Sequence, residues 1–140
     1  MIYFIKTNKN EVDIIGSFGL RHLEKSIIST VKNLSMKYLF TYEGYVKSVR
    51  KTVGIKSLAP LYLNPQNLLM FLDSPRKWEC IIINYFAITN FRYQNNEIEI
   101  EFPDQNTMYF KIGLNKFKRL ISQATLVLKY IEYKNLDCLI

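Results

Sequence analysis

The chain has 140 residues, of which 49% are hydrophobic, and its formal net charge at neutral pH is +7. This length predicts one domain over residues 1–140, and the apolar fraction excludes an intrinsically disordered chain. The positive surplus favours nucleic acid or an anionic membrane surface as partner. No run of 18 apolar residues occurs, and Lys6 interrupts the apolar N-terminus, so we expect a soluble cytoplasmic protein without signal peptide or membrane span.

Residues that could carry catalysis or bind a metal are sparse. The two cysteines, Cys80 and Cys138, have neither CxxC spacing nor a histidine cluster, which predicts reduced thiols and no metal site. His22 is the one histidine and is expected at the surface or near a helix cap. No glycine-rich phosphate loop is present, so we expect neither a cofactor nor an enzyme.

The first half of the chain predicts two strands followed by a helix. Short apolar runs at Ile2–Ile5 and Val12–Ile15 are typical of an opening hairpin. From Leu20 onward, apolar residues recur at threes and fours, which predicts a long or two-piece helix over about 20–44.

The second half predicts further strands and a closing helix. We expect an extended segment at Leu61–Leu63, a strand at Leu68–Leu72 and a central strand at Ile81–Ile88. Glutamates and apolar residues alternate from Glu97 to Phe102 and predict a hairpin with one solvated face. A helix is expected from Leu114 to Tyr133, or about 115–133, with Asn115 as its N-cap. The fold class is therefore α+β, built mainly on antiparallel sheet.

Positive charge is concentrated between Lys32 and Lys56, where six cations accompany Glu43 as the one acid. Tyrosines and phenylalanines lie among these cations, as in proteins that bind the backbone of a nucleic acid. The alternative is an amphipathic helix with a lysine-rich solvated face. The candidate DNA contacts in this stretch are Lys37, Tyr42, Lys47, Arg50 and Lys51.

A second candidate contact lies at the start of the C-terminal helix. Lys116, Lys118 and Arg119 place cations where the helix dipole disfavours them, and a bound phosphate would reverse that cost. We expect these three residues to touch the DNA backbone.

The order of these segments resembles the ComK competence transcription factors of Gram-positive bacteria. The segment from Ser35 to Ile55 resembles the family signature of a basic residue, two aromatics, Tyr-x-Gly, a basic stretch and a closing strand. The similarity extends from about Val31 to Leu128, and the residues that match best are Ser35, Lys37, Tyr38, Tyr42, Gly44, Arg50, Lys51, Ile55, Pro60, Pro65, Ser74, Cys80, Ile83 and Asn84.

This resemblance implies a transcription activator that binds AT-rich double-stranded DNA, largely through the minor groove, as a homo-oligomer associated with the nucleoid. It also implies control by an adaptor–protease system. Arg50, Lys51 and Lys47 are the candidates for insertion into the narrow, negative minor groove of an A-tract.

The chain departs from the family pattern at three places. Tyr45 and Val46 occupy positions that are basic in the family, Ile82 replaces a tryptophan while Trp78 lies upstream, and the family's longer C-terminal tail does not follow Ile140. The alternatives are therefore a short paralogue that binds DNA weakly beside a full-length partner, an anionic-lipid module, or a protein-interaction module.

Overall fold

The structure is a computed structural model that describes residues 1–8, 10–77 and 79–138, and Trp78 lies outside this range. The helices are α1 (Ile27–Lys37), α2 (Tyr42–Thr52) and α3 (Leu114–Cys138). The strands are β1 (Ile2–Asn8), β2 (Glu11–Gly16), β3 (Gly19–Leu23), β4 (Leu61–Asn64), β5 (Asn67–Phe71), β6 (Ile81–Asn84), β7 (Asn90–Gln94), β8 (Glu97–Glu101) and β9 (Thr107–Phe110).

The strands form two antiparallel sheets. The larger sheet has six strands in the order β3-β2-β1-β6-β5-β4, and the smaller has three in the order β7-β8-β9. Strand β1 joins the two halves of the larger sheet, because it pairs with β2 on one side and with β6 on the other. The α+β class with mainly antiparallel sheet is thus confirmed, as are the opening hairpin and the glutamate-rich hairpin.

Both faces of the larger sheet are covered. Alternate residues of β5 point to opposite faces: Leu69 and Phe71 meet α1, whereas Leu68 and Met70 meet the smaller sheet and α3. Helix α2 contacts the hydrophobic cores on both sides of the larger sheet. Tyr42, at its start, lies in the core shared with α1, and Val49 lies in the core shared with the smaller sheet and α3. This position at the boundary of the two layers leaves the opposite face of α2 in solvent.

A buried asparagine fixes the centre of the larger sheet. The side-chain amide of Asn84 donates to the carbonyls of Ile2 at 2.7 Å and Gln66 at 2.8 Å. Its oxygen accepts from the N–H groups of Leu68 at 3.0 Å and Phe86 at 3.1 Å. One side chain therefore satisfies backbone groups of β1, of the β4–β5 turn, of β5 and of the short 3₁₀ turn after β6.

The helix expected over about 20–44 is wrong in its bounds. Leu20 lies in β3, where it pairs with Ile15. The first helical turn begins only after Ser26, whose hydroxyl accepts from the N–H of Ser29. Helix α1 ends at Lys37, and Thr41 caps a second helix, where its hydroxyl accepts from the N–H of Gly44 at 3.1 Å. The serine and threonine caps thus produce the two-piece form of the predicted helix, which begins at Ile27 and ends at Thr52.

Three smaller expectations also need correction. The segment expected as one strand over Ile81–Ile88 is β6 followed by a 3₁₀ turn from Tyr85 to Ala87. Helix α3 begins at Leu114, so Asn115 is a helical residue and not its N-cap. Its end at Cys138 lies beyond the expected Tyr133.

Candidate nucleic-acid interface

The solvent face of α2 carries three of the candidate cations. Lys47 and Lys51 are one helical turn apart and exposed, and Arg50 is exposed beside them. Among the described residues, no carboxylate lies within ion-pair distance of these three side chains. Arg50 donates to the carbonyl of Lys56 at 3.2 Å, which holds its guanidinium at the C-terminal end of the helix.

The charges along α2 agree with its dipole. Glu43 lies in the first turn, whereas Arg50 and Lys51 lie in the last turn, where the partial negative charge of the helix end favours cations. Glu43 pairs with Lys32 of α1 at 3.0 Å, and this hydrogen bond lowers the pKa of the Glu43 carboxyl. Glu43, the one acid between Lys32 and Lys56, thus pairs with Lys32 and not with Lys47 or Lys51.

The aromatic residues at the start of α2 face inward. Tyr42 is only 9% exposed and packs against Phe71, with ring centroids 6.1 Å apart. A ring in this position belongs to the core, so only a small part of the Tyr42 side chain is open to a DNA contact. Val46 is also partly buried, in the same core as Tyr42.

Tyr45 ties α2 to the edge of the larger sheet. Its hydroxyl donates to the carbonyl of Pro60 at 2.5 Å and accepts from the N–H of Tyr62 at 3.0 Å. Burial raises the pKa of Tyr45 to about 12. Tyr45 and Val46 are the two positions at which the family pattern has basic residues, and in this chain both side chains serve packing.

Lys37 ends α1 beside a concave surface that the sequence did not reveal. The cavity, of about 420 Å³, is lined by Lys37 together with Arg21 of β3 and Lys25 of the β3–α1 loop. The rest of its lining mixes apolar and polar side chains, and Arg21 also lies over the ring of Phe18, with 4.9 Å between the guanidinium carbon and the ring centroid. Arg21 and Lys25 are therefore additional candidate cations, and only the β2–β3 hairpin brings them to Lys37.

The loop between β5 and β6 contains two further cations, Arg76 and Lys77, which are not among the candidate DNA contacts predicted from the sequence. The charge of Arg76 acts on Glu43 at the start of α2, although Lys32 has the larger effect on that carboxyl. Lys77 pairs with Asp73 at 3.1 Å. The N–H of Ser74 is the main cause of the lowered pKa of Asp73, with further contributions from Lys77 and Lys116.

The cations at the start of α3 lie in the other layer of the domain. Lys116 is partly buried near Asp73, whereas Lys118 and Arg119 are exposed. Since α3 starts at Leu114, Lys118 and Arg119 follow the first turn instead of occupying it. Helix α3 packs on the face of the larger sheet opposite to α1, so this set is separated from Lys37 by the sheet.

His22 and Cys80 are two further titratable groups whose pKa values are shifted. His22 lies on exposed β3, and its hydrogen bond with Asp13 at 2.7 Å raises the pKa of the imidazole. Cys80 is buried, and burial raises the pKa of its thiol to about 12, which keeps it protonated and unreactive. Within the described ranges, no group of three potential ligand side chains could hold a metal ion, and no helix is long and apolar enough to cross a membrane.

Comparison with known proteins identifies the family. Neither curated proteins nor solved structures yield a match. The family model described as "ComK protein" matches residues 3–135, which includes both sheets and nearly all of α3. The family is one of competence transcription factors, in agreement with the basic surface described above. The chain therefore belongs to the ComK family.

Proposed function

We propose that this protein regulates transcription by binding AT-rich double-stranded DNA with the solvent face of α2. The observation that carries the proposal is the set of exposed cations at Lys47, Arg50 and Lys51, none of which has a carboxylate partner among the described residues. Like charges one helical turn apart repel each other in the free protein, and a row of phosphates would relieve that repulsion.

The minor groove is the favoured docking site for this surface. A narrow AT-rich groove concentrates negative potential, and Arg is the side chain most often drawn into it. Arg50 is exposed at the C-terminal end of α2, and its bond to the Lys56 carbonyl holds it in place. In this arrangement Arg50 enters the groove, while Lys47 and Lys51 contact phosphates beside it.

The salt dependence of binding tests the contact. For duplex DNA the log–log slope of affinity against salt is about −0.9 for each phosphate neutralised. The double variant Lys47→Gln/Lys51→Gln should therefore reduce the magnitude of the slope by about 1.8 on an AT-rich duplex. The matched control is Lys129→Gln/Lys134→Gln, which removes the same charge from exposed positions of α3.

Three outcomes would contradict the proposal. The first is a wild-type protein that does not bind AT-rich duplex at low salt. The second is an equal change of slope in both double variants, which would indicate a non-specific effect of net charge. The third is tighter binding to vesicles that contain anionic lipid than to DNA, which would favour the lipid-surface alternative.

The cations of α3 are a separate part of the proposal. Lys118 and Arg119 are exposed, but they lie in the layer opposite to α1. If they touch the DNA backbone, the charge reversal Lys118→Glu/Arg119→Glu should lower DNA affinity. Unchanged affinity would restrict the interface to the α1–α2 side.

Self-association through α3 completes the proposal. Leu126, Tyr130 and Tyr133 follow one another at spacings of four and three residues and are all exposed, which places an apolar stripe on one helix face. A second copy of the chain would bury this stripe symmetrically. Sedimentation analysis should show dissociation in the variant Leu126→Glu/Tyr133→Glu, and an unchanged sedimentation coefficient would contradict the interface. Control by an adaptor–protease system stays a prediction from the family resemblance.

A further inference from the structure

The turn between α1 and α2 presents a leucine almost entirely to solvent. Leu39 is 95% exposed, and Met36, one turn earlier on α1, is also exposed. An isolated exposed leucine is ordinary at a protein surface. Leu39 differs because its backbone conformation is also unfavourable for a leucine.

The backbone of Leu39 has φ of +67° at the end of α1. The N–H of Phe40 donates to the carbonyl of Ser35 at 3.3 Å, and the N–H of Leu39 donates to that of Met36 at 3.0 Å. This pair of bonds is a Schellman motif, in which the residue with positive φ is usually glycine. Leucine at this position gains no packing in the free protein and has the steric cost of its Cβ.

The turn forms a ridge between two concave surfaces. Tyr38 lines both: the cavity with Lys37, Arg21 and Lys25 on one side, and a cavity of about 560 Å³ bordered by α2 on the other. Gly44 and Ser48 line the second cavity. Lys47 and Lys51 lie on the adjoining part of the same helix face, since residues three and four apart are neighbours on a helix. Cations thus flank the ridge on both sides, and the exposed Leu39 lies at the turn that forms the ridge.

We propose that Leu39 is an apolar wedge that enters the minor groove and partly unstacks a TpA step. This inference rests on the DNA-binding function proposed above. Minor-groove proteins use leucine and similar side chains in this way, and pyrimidine–purine steps unstack most easily. The flanking cations would contact the two phosphate strands, and the preference for AT-rich DNA would arise partly from the ease of deforming TpA.

The test uses duplexes in which 2-aminopurine replaces the adenine of one TpA step, because its fluorescence rises when the base unstacks. Wild-type protein should raise the fluorescence, and Leu39→Gly and Leu39→Ala should not. Both variants should bind the TpA duplex about tenfold more weakly, because they lose the free energy gained when the leucine side chain is removed from water. They should bind a pure A-tract of equal length with little change, and their salt slopes should match that of the wild type.

The two variants also separate the contribution of the Leu39 side chain to DNA binding from its effect on backbone strain. Leu39→Gly should raise the midpoint of urea unfolding, because glycine adopts positive φ without cost, whereas Leu39→Ala should leave the midpoint near that of the wild type. Leu20→Ala removes another exposed leucine, 65% exposed on β3, and should change neither fluorescence nor affinity.

Several results would overturn the wedge. A full fluorescence rise with Leu39→Gly would do so while leaving the DNA-binding function intact. A change of self-association in the Leu39 variants without a change in DNA binding would identify the ridge as a protein contact. Failure of the wild type to bind either duplex would overturn the wedge and the proposed function together.

Discussion

Replacement of Tyr45 by phenylalanine should destabilise the fold through the edge of the larger sheet. The Tyr45 hydroxyl accepts the N–H of Tyr62 in edge strand β4 and donates to the carbonyl of Pro60 just before it. Phenylalanine keeps the ring and its tilted contact with Phe40, at 5.5 Å between centroids, but removes both hydrogen bonds. The variant Tyr45→Phe therefore isolates the polar part of the attachment of α2.

The magnitude follows from the two backbone groups left without a partner. A buried donor or acceptor that loses its hydrogen bond costs about 1–3 kcal/mol. The whole stability of a domain is about 5–15 kcal/mol, so this loss is a substantial part of it. Both groups are only partly buried, so the low end of that range applies to each and the total loss is about 2 kcal/mol. With a urea m-value of about 2 kcal/mol per molar, the unfolding midpoint should fall by about 1 M.

The effect should also depend on pH. The pKa of Tyr45 is about 12 in the folded protein, against an ordinary value of 10.0. The folded state thus keeps the hydroxyl neutral where the unfolded chain ionises, so ionisation stabilises the unfolded state as the pH rises above 10. The stability that Tyr45 contributes is complete below pH 10 and is lost as the pH rises towards 12.

Urea unfolding of both proteins between pH 8 and pH 12 tests this reasoning. The difference in free energy of unfolding between wild type and Tyr45→Phe should be constant up to about pH 10 and then shrink. Tyr109→Phe is the control, because Tyr109 is exposed and makes no side-chain hydrogen bond among the described residues. A difference below about 0.5 kcal/mol at pH 8, or one independent of pH, would refute the role assigned to Tyr45.

Two further predictions concern buried groups. Asn84→Ala should lower the free energy of unfolding by about 3 kcal/mol or more, because several buried backbone groups lose their partner at once; urea unfolding measures this, and a loss below about 1 kcal/mol would contradict it. Cys80 should resist iodoacetamide in the folded protein at pH 8 and react once urea unfolds the chain, because burial raises its pKa to about 12. Mass mapping of the modified peptide checks the second prediction, and rapid native labelling of Cys80 would contradict it.

Periodicity predicted the elements whose two faces differ in exposure. The alternation of glutamate and isoleucine along Glu97–Glu101 appears in the structure as buried isoleucines and partly exposed glutamates. Strand β7 was missed for the opposite reason, since all five of its residues are exposed and give no alternation. The strand at Leu20 was mistaken for helix because its leucines continue the spacing of α1 by coincidence.

Local charge predicted the cations of α2, but the fold was needed to assemble the rest of the surface. Lys47, Arg50 and Lys51 are close in sequence, so helical spacing alone places them near one another. Arg21 and Lys25 reach Lys37 only because the β2–β3 hairpin folds beside α1. No single-sequence signal reports such a contact, because it depends on how the strand edge packs against the helix.

The orientation of α2 decides how the departure from the family pattern is interpreted. Tyr45 and Val46 point into the protein, where Tyr45 binds the sheet edge and Val46 joins the core. A lysine at either position would have to bury its charge or withdraw the helix from the sheet, at considerable cost. The cations of this chain instead lie on the opposite face, at Lys47 and Lys51. The DNA contact proposed for α2 therefore rests on these outward positions and does not require a charge at Tyr45 or Val46.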